Sequence, residues 1–200
     1  MSRNLLQKRF MDRYLRPVAT ETRSVPESVR ETARRLLRDE ARYGECIAML
    51  DAQPGIESDP FGLKLRGVAK LSMKNFDEAE ADFLDAIRLL TRESSALHCN
   101  LAAVGIERGE LDQALTAATT AMSIDCSWYL PVVNTLCALA LQGDVDSAWQ
   151  ALVNALESWP DGRFDPELIR YLQSDGILSI LRRDGRFQQF LAESNGYINV

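Results

Sequence analysis

The amino-acid sequence predicts an all-α fold, an array of antiparallel helix pairs, and three observations lead to this prediction. The first is a pattern of an apolar residue, Asp, any residue and Ala that recurs after a turn, with its alanines at Ala79, Ala114 and Ala148. The second is the spacing of these alanines, because steps of 35 and 34 residues are typical of a helical repeat. The third is the composition, since 46% hydrophobic but only 8% aromatic residues favour helix-on-helix packing.

Each recurrence predicts one amphipathic helix, which we call helix B. Residues at positions 0, +4 and +7 of the pattern lie on one face of an α-helix. Alanine at 0 and +7 lets a neighbouring helix approach closely, and the residue at +4 fills the space between the two backbones. The predicted face residues are Ala79, Phe83 and Ala86, then Ala114, Ala118 and Ala121, then Ala148, Leu152 and Ala155.

Turn signals before each helix B predict a second, antiparallel helix upstream, which we call helix A. Gly109 and Gly143 share a repeat position at which a helix C-terminus needs a positive φ, and Lys74 holds that position in the first unit. The expected N-caps of helices B are the Asp residues two positions before the first Ala, which are Asp77, Asp112 and Asp146. The predicted helices A span about 61–73, 95–107 and 129–141, and helices B about 77–90, 112–124 and 146–158.

This pattern resembles the tetratricopeptide repeat (TPR), over about half of the chain. Gly67 in the first unit stands at the family's Gly position, and Pro160 closes the third unit as the family's Pro does. The helix-A Trp and Tyr positions of the family hold other residues, namely Leu63 and Lys70, His98 and Gly105, and Val132 and Leu139. The resemblance implies a right-handed α-solenoid.

The rest of the chain is predicted to be helical as well. Residues 25–60 resemble a degenerate repeat packing on the array, with Pro26 in the first turn of its first helix. The repeats fill 61–160, as units at about 61–94, 95–128 and 129–162. Residues 163–200 are expected to be capping helices that start at Asp165 and Pro166 and cover the last helix B.

Residues 1–24, the N-terminal segment, contain six basic and two acidic residues. Leu6, Phe10 and Tyr14 recur at four-residue spacing, which predicts an amphipathic helix that ends before Pro17. Three roles stay open for it: packing across the first helices of the array, docking on a partner or an acidic membrane surface, and organelle targeting.

In TPR arrays helix A lines a concave groove, the usual peptide-binding surface, so the resemblance implies a groove here. Asn100 and Asn134 occupy the same repeat position, where their amides can bond both N–H and C=O of a peptide backbone. By register, the partner-binding groove candidates are Lys64, Leu65, Val68, Ser72, Cys99, Asn100, Ala103, Glu107, Leu130, Val133, Asn134, Cys137 and Leu141. This set is apolar with a few amides, which suits an extended or helical segment with hydrophobic anchors.

Several classes of function are not expected. The net charge of -6 argues against nucleic-acid binding. No apolar run is long enough for a transmembrane segment or a secretory signal, so a cytoplasmic protein is expected. The cysteines lack paired spacing and His98 is the sole histidine, so neither a metal nor a cofactor is expected. No phosphate loop, Cys–His couple or carboxylate pair points to an enzyme.

The expected function is therefore a non-enzymatic scaffold or adaptor that binds a partner peptide or domain in the groove. A dedicated TPR chaperone of an export or secretion substrate is the alternative, and such proteins often dimerise through an N-terminal helix. A regulatory subunit of a partner enzyme is a second alternative. The sequence does not identify the partner or the oligomeric state.

Overall fold

The computed structural model describes residues 15–16, 24–159 and 165–194, and all regular structure in these ranges is helical. The α-helices are α1 Glu27–Arg35, α2 Tyr43–Asp51, α3 Pro60–Ser72, α4 Phe76–Leu89, α5 Ser95–Arg108, α6 Leu111–Ile124, α7 Tyr129–Gln142, α8 Val145–Ser158, α9 Pro166–Ser174 and α10 Gly185–Ser194. Within the described ranges, a π-helical turn extends α1, and 3-10 turns lie at Ile56–Ser58, Ile177–Ser179 and Leu181–Arg183. The all-α prediction is confirmed.

Helices α3 to α8 are the predicted helices A and B, and each observed end lies within one residue of the predicted one. Contacts divide the chain into two compact units, Met1–Val104 and Gly105–Val200. In the first unit α3 packs against α1, α2 and α4, and in the second unit α7 packs against α6, α8 and α9. The predicted N-terminal helix lies outside the described residues except for Leu15 and Arg16, and so does Pro160.

The three A-to-B turns have one geometry. Lys74, Gly109 and Gly143 all have positive φ, at 64°, 76° and 77°, as the turn prediction requires. In each turn the next N–H reaches back to the carbonyl five residues earlier, which closes a Schellman motif. These hydrogen bonds are Asn75 N to Lys70 O at 2.9 Å, Glu110 N to Gly105 O at 2.8 Å and Asp144 N to Leu139 O at 3.0 Å. Lys74 therefore adopts the same conformation as the two glycines.

The predicted N-caps of helices B are wrong by two residues. The observed N-caps are Asn75, Glu110 and Asp144, because helix B begins immediately after the Schellman turn. Among these three, only the Asp144 side chain accepts a capping bond, from Ser147 N at 2.9 Å. Asp77, Asp112 and Asp146 lie in the first turn instead, where a carboxylate stabilises the positive end of the helix.

The predicted packing face of helix B is confirmed in the first unit, where Ala79, Phe83 and Ala86 are fully buried. Phe83 packs on Gly67 of α3 so closely that a Cβ at Gly67 would lie 2.6 Å from the Phe83 ring. Glycine at position 67 is therefore required by the close approach of α3 and α4, which is the TPR arrangement.

The same face is buried in the second unit. Its members are Ala114, Ala118, Ala121, Ala148, Leu152 and Ala155, each at most 7% exposed. A Cβ at Gly105 would lie 3.0 Å from the Ala114 backbone nitrogen, so the end of α5 and the start of α6 also approach closely.

A buried carboxylate, Asp59, joins the segment before α1 to the start of α3. It is 0% exposed and accepts hydrogen bonds from Val25 N at 2.8 Å, Gly62 N at 2.8 Å and Arg30 Nη2 at 2.5 Å. Asp59 is also the N-cap of α3, followed by Pro60. Arg30 and Arg34 of α1 lie over the Phe61 ring, with 5.5 and 4.7 Å from Cζ to the ring centroid. The degenerate pair is therefore fixed to the first clear repeat.

The C-terminal helices α9 and α10 cover α7 and α8 within the second unit. Asp165 caps α9 as predicted, accepting from Glu167 N at 2.9 Å. Tyr129 stacks on Tyr171 with 5.7 Å between ring centroids, and Trp149 meets Phe187 edge-on at 5.3 Å. Leu168, Leu172, Leu178, Leu181 and Phe187 are buried to 1% exposure or less.

Candidate functional site

Lys64, in the middle of α3, is the most unusual charged residue of the first unit. Its side chain is 0% exposed, and this burial lowers its pKa from 10.5 to about 7. Lys64 Nζ donates a hydrogen bond to the backbone carbonyl of Arg16, which is 48 residues earlier in the chain. The predicted groove lysine thus binds a main-chain carbonyl from the N-terminal segment.

Three charged or titratable groups surround Lys64. Besides burial, Arg34 of α1 and Arg16 lower its pKa, whereas Cys99 of α5 acts to raise it. Within the first unit, Lys64 of α3 therefore interacts electrostatically with a residue of α1, a residue of α5 and a residue of the N-terminal segment. With three cations close together, a hydrogen-bond acceptor is the group that Lys64 needs, and the Arg16 carbonyl supplies one.

Asn100 follows Cys99 in α5 and is the second unusual residue of this site. Its side chain is 0% exposed, and neither its amide nitrogen nor its amide oxygen has a hydrogen-bond partner among the residues described. Leaving a buried polar group unpaired costs about 1–3 kcal/mol. Buried polar groups without a hydrogen bond are rare in native structures. Binding of a ligand that pairs with the group is one explanation for such a case.

The other groove candidates of the first unit are mostly buried. Leu65, Val68, Cys99 and Ala103 are at most 3% exposed, and Ser72 is half-buried, with Oγ donating to the Val68 carbonyl at 2.8 Å. Of these candidates, Cys99 interacts electrostatically with Lys64, and Asn100 is the next residue of α5. Leu65, Val68 and Ala103 belong to the buried core of the first unit.

In the second unit the groove candidates on α7 are covered by the chain itself. Leu130, Val133, Asn134 and Cys137 are at most 4% exposed, and α9 and the Ile177–Ser179 turn pack against α7. Two candidates of this unit are exposed, Leu141 at 48% and Glu107.

The two asparagines at the same repeat position are not equivalent. Asn134 has an interaction partner, whereas both polar atoms of Asn100 lack a hydrogen bond in the described part of the chain. The sequence could not separate them, because the difference depends on which neighbours each helix A acquires. The role of the Arg16 carbonyl was also missed, since a backbone group has no sequence signal.

Other chemistry is sparse in ranges 15–16, 24–159 and 165–194. There, no group of three His, Cys, Asp or Glu side chains is placed to hold a metal ion. No disulfide joins the four cysteines, of which Cys126 alone is exposed, and burial raises the pKa of the Cys46 thiol to about 12. None of the helices described is both long and apolar enough to cross a membrane.

The lowered pKa of Lys64 predicts a pH dependence of stability. Between pH 7 and 10.5 the folded chain binds fewer protons at Lys64 than the unfolded chain, so stability rises with pH in this window. We expect wild type to gain on the Lys64→Met variant by about 1 kcal/mol per pH unit over that window. Urea denaturation at several pH values measures this difference.

Neighbouring groups must be controlled in that experiment. A thiol ordinarily titrates near pH 8.5, and Cys99 interacts with Lys64, so the comparison is repeated with Cys99→Ala in both proteins. If the stability difference between wild type and Lys64→Met stays constant from about pH 7 to 10, folding does not lower the pKa of Lys64.

Comparison with known proteins gives a structural match only. No protein-family model matches the sequence, and no curated protein sequence matches it either. Among solved structures, YrrB, a TPR protein with an unusual peptide-binding site, has a TM-score of 0.55 to this chain. The two are 17% identical, over 88% of this chain and 92% of YrrB. At this identity the likeness shows the fold alone, and the fold is the TPR fold that the resemblance implied.

Proposed function

We propose that this chain, which has the TPR fold, is a protein-interaction module that binds the main chain of a protein partner at Lys64 and Asn100. The observation that carries the proposal is the fully buried Asn100 amide, with no hydrogen-bond partner on either polar atom among the described residues. An amide offers both a donor and an acceptor, which matches the C=O and N–H of one peptide unit.

The contact at Lys64 supports the same function. Its ammonium already binds a peptide carbonyl, that of Arg16, so the site has the chemistry to hold main chain. Lys64 also interacts electrostatically with Cys99, the residue before Asn100, which supports assigning the donor and the amide to one site. The description of YrrB as a TPR protein with a peptide-binding site agrees with this use of the fold.

We assign the protein no catalytic step. We propose that it is located in the cytoplasm. We favour an adaptor role over that of a secretion chaperone or of an enzyme's regulatory subunit.

Co-purification from the native source discriminates between these three roles. A single exported client that is unstable alone indicates a chaperone. An enzyme whose activity changes on binding indicates a regulator. Stable partners that assemble through this protein indicate an adaptor.

The site is tested with peptides selected from a random display library on the full chain. Replacing Asn100 by Leu keeps the branched shape of the side chain but removes the donor and the acceptor. We expect selected peptides to bind the Asn100→Leu protein about 10- to 100-fold more weakly, equivalent to 1–3 kcal/mol. Fluorescence anisotropy with labelled peptides measures the affinities.

The matched control is Asn154→Leu, which makes the same chemical change on an exposed position of α8. Affinity should stay within about twofold of wild type in this variant, because residue 154 belongs to helix B rather than helix A. Equal affinities for wild type and Asn100→Leu would overturn the assignment of the site.

A further inference from the structure

The site at Lys64 is already in contact with another part of the same chain. We infer that the N-terminal segment is an intramolecular occupant of this site, held through Leu15 and Arg16, and that a protein partner must displace it. This inference deepens the proposed function and rests on it. The segment would then regulate access to the site.

Two contacts anchor the segment. Leu15 is only 4% exposed, although it lies well before Glu27, where the first described helix begins. The backbone carbonyl of Arg16 accepts a hydrogen bond from Lys64 Nζ. Lys64 is fully buried, so any foreign main chain that is to reach its ammonium has to replace the Arg16 carbonyl.

Charge attraction does not explain this contact. The segment is basic, and at the site Arg16 and Arg34 each act on Lys64 as further cations. Among the described residues of the segment, the buried Leu15 side chain and the Arg16 backbone carbonyl therefore support the recognition. A backbone carbonyl is present in every peptide, so the same donor can serve the chain's own segment and a partner in turn.

An attached occupant has a predictable effect on affinity. A tethered segment acts at an effective concentration in the millimolar range, on the order of what short flexible connections give. A partner then binds only the fraction of molecules in which the site is open, and its apparent dissociation constant rises in proportion. Releasing the segment should therefore strengthen binding of any peptide that uses Lys64.

The test uses the full chain and a labelled synthetic peptide of residues 1–24. Leu15→Asp places a carboxylate in a buried apolar position and should release the segment. We expect the peptide to bind Leu15→Asp at least about tenfold more tightly than wild type, and addition of Lys64→Met to abolish this gain. Ser24→Asp, at an exposed position with the same charge change, should behave as wild type.

Equal binding of the peptide by wild type and Leu15→Asp, or none by either, would overturn the inference. So would undiminished binding after Lys64→Met. If Leu15→Asp does not unfold cooperatively, Leu15→Ala replaces it, with the same direction expected. This outcome can be distinguished from failure of the proposed function. If library peptides bind wild type and Leu15→Asp equally, only the inference that the N-terminal segment occupies the site is refuted. If the 1–24 peptide binds but no library peptide does, only the proposal that the site binds a separate protein partner is refuted.

Discussion

The Asp59→Ala variant is expected to lose about 3–5 kcal/mol of unfolding free energy, because it removes the buried carboxylate from a buried cation, Arg30, and leaves it only the more distant Glu27 carboxylate at 3.7 Å. Arg30 is 2% exposed, and its Nη2 lies 2.5 Å from Asp59 Oδ2. The same carboxylate accepts from the backbone N–H of Val25 and of Gly62, so both amides also lose their acceptor. Urea denaturation followed by circular dichroism measures the loss, and a marginal domain could unfold outright.

The control for this variant is Asp144→Ala, which removes an exposed N-cap carboxylate that accepts from Ser147 N. Loss of such an exposed cap destabilises a protein far less than loss of a buried, paired carboxylate does. If Asp59→Ala destabilises the protein by no more than Asp144→Ala does, Asp59 does not join α1 to α3.

Ending the chain at Pro160 is expected to abolish cooperative unfolding of the second unit and to cause aggregation. The deletion removes α9 and α10, whose buried side chains include Leu168, Leu172 and Phe187. It leaves the faces of α7 and α8 that these side chains cover open to water, at about 25 cal/mol per Å² of apolar area. Size-exclusion chromatography and thermal unfolding measure the result.

A chain ending at Ser194 is the matched control, because it keeps α9 and α10 complete. It should remain monodisperse and unfold as the full chain does. A soluble fragment 1–160 with a single cooperative transition would show that the C-terminal helices are not needed as a cap.

Helix positions could be predicted from the sequence to within a residue because the repeat reports packing directly. Alanine at 79, 86, 114, 121, 148 and 155 is required where helices touch, and Gly109 and Gly143 mark the turns between them. Helix ends follow from those two constraints. The N-caps were misplaced because the Schellman turn uses the residue next to the positive-φ position, which the alanine spacing does not reveal.

The candidate site could be predicted only in part. Register placed Lys64 and Asn100 on helices A, and they lie in α3 and α5. That they form one site is our proposal. Register could not indicate that Asn100 has no hydrogen bond with the described residues while Asn134 has a partner, since both are the same residue at the same repeat position. Contacts made by a backbone carbonyl, such as that of Arg16 with Lys64, leave no mark on the sequence.

The central claim is that Asn100 serves a ligand rather than the fold, and the unfolding free energy of Asn100→Leu tests it most directly. Measured by urea denaturation without any partner, this variant should be more stable than wild type by about 1 kcal/mol, because an unpaired buried amide is removed. The change in midpoint at constant slope gives the difference. A loss of about 1 kcal/mol or more would contradict the account, because the amide would then stabilise the folded chain itself.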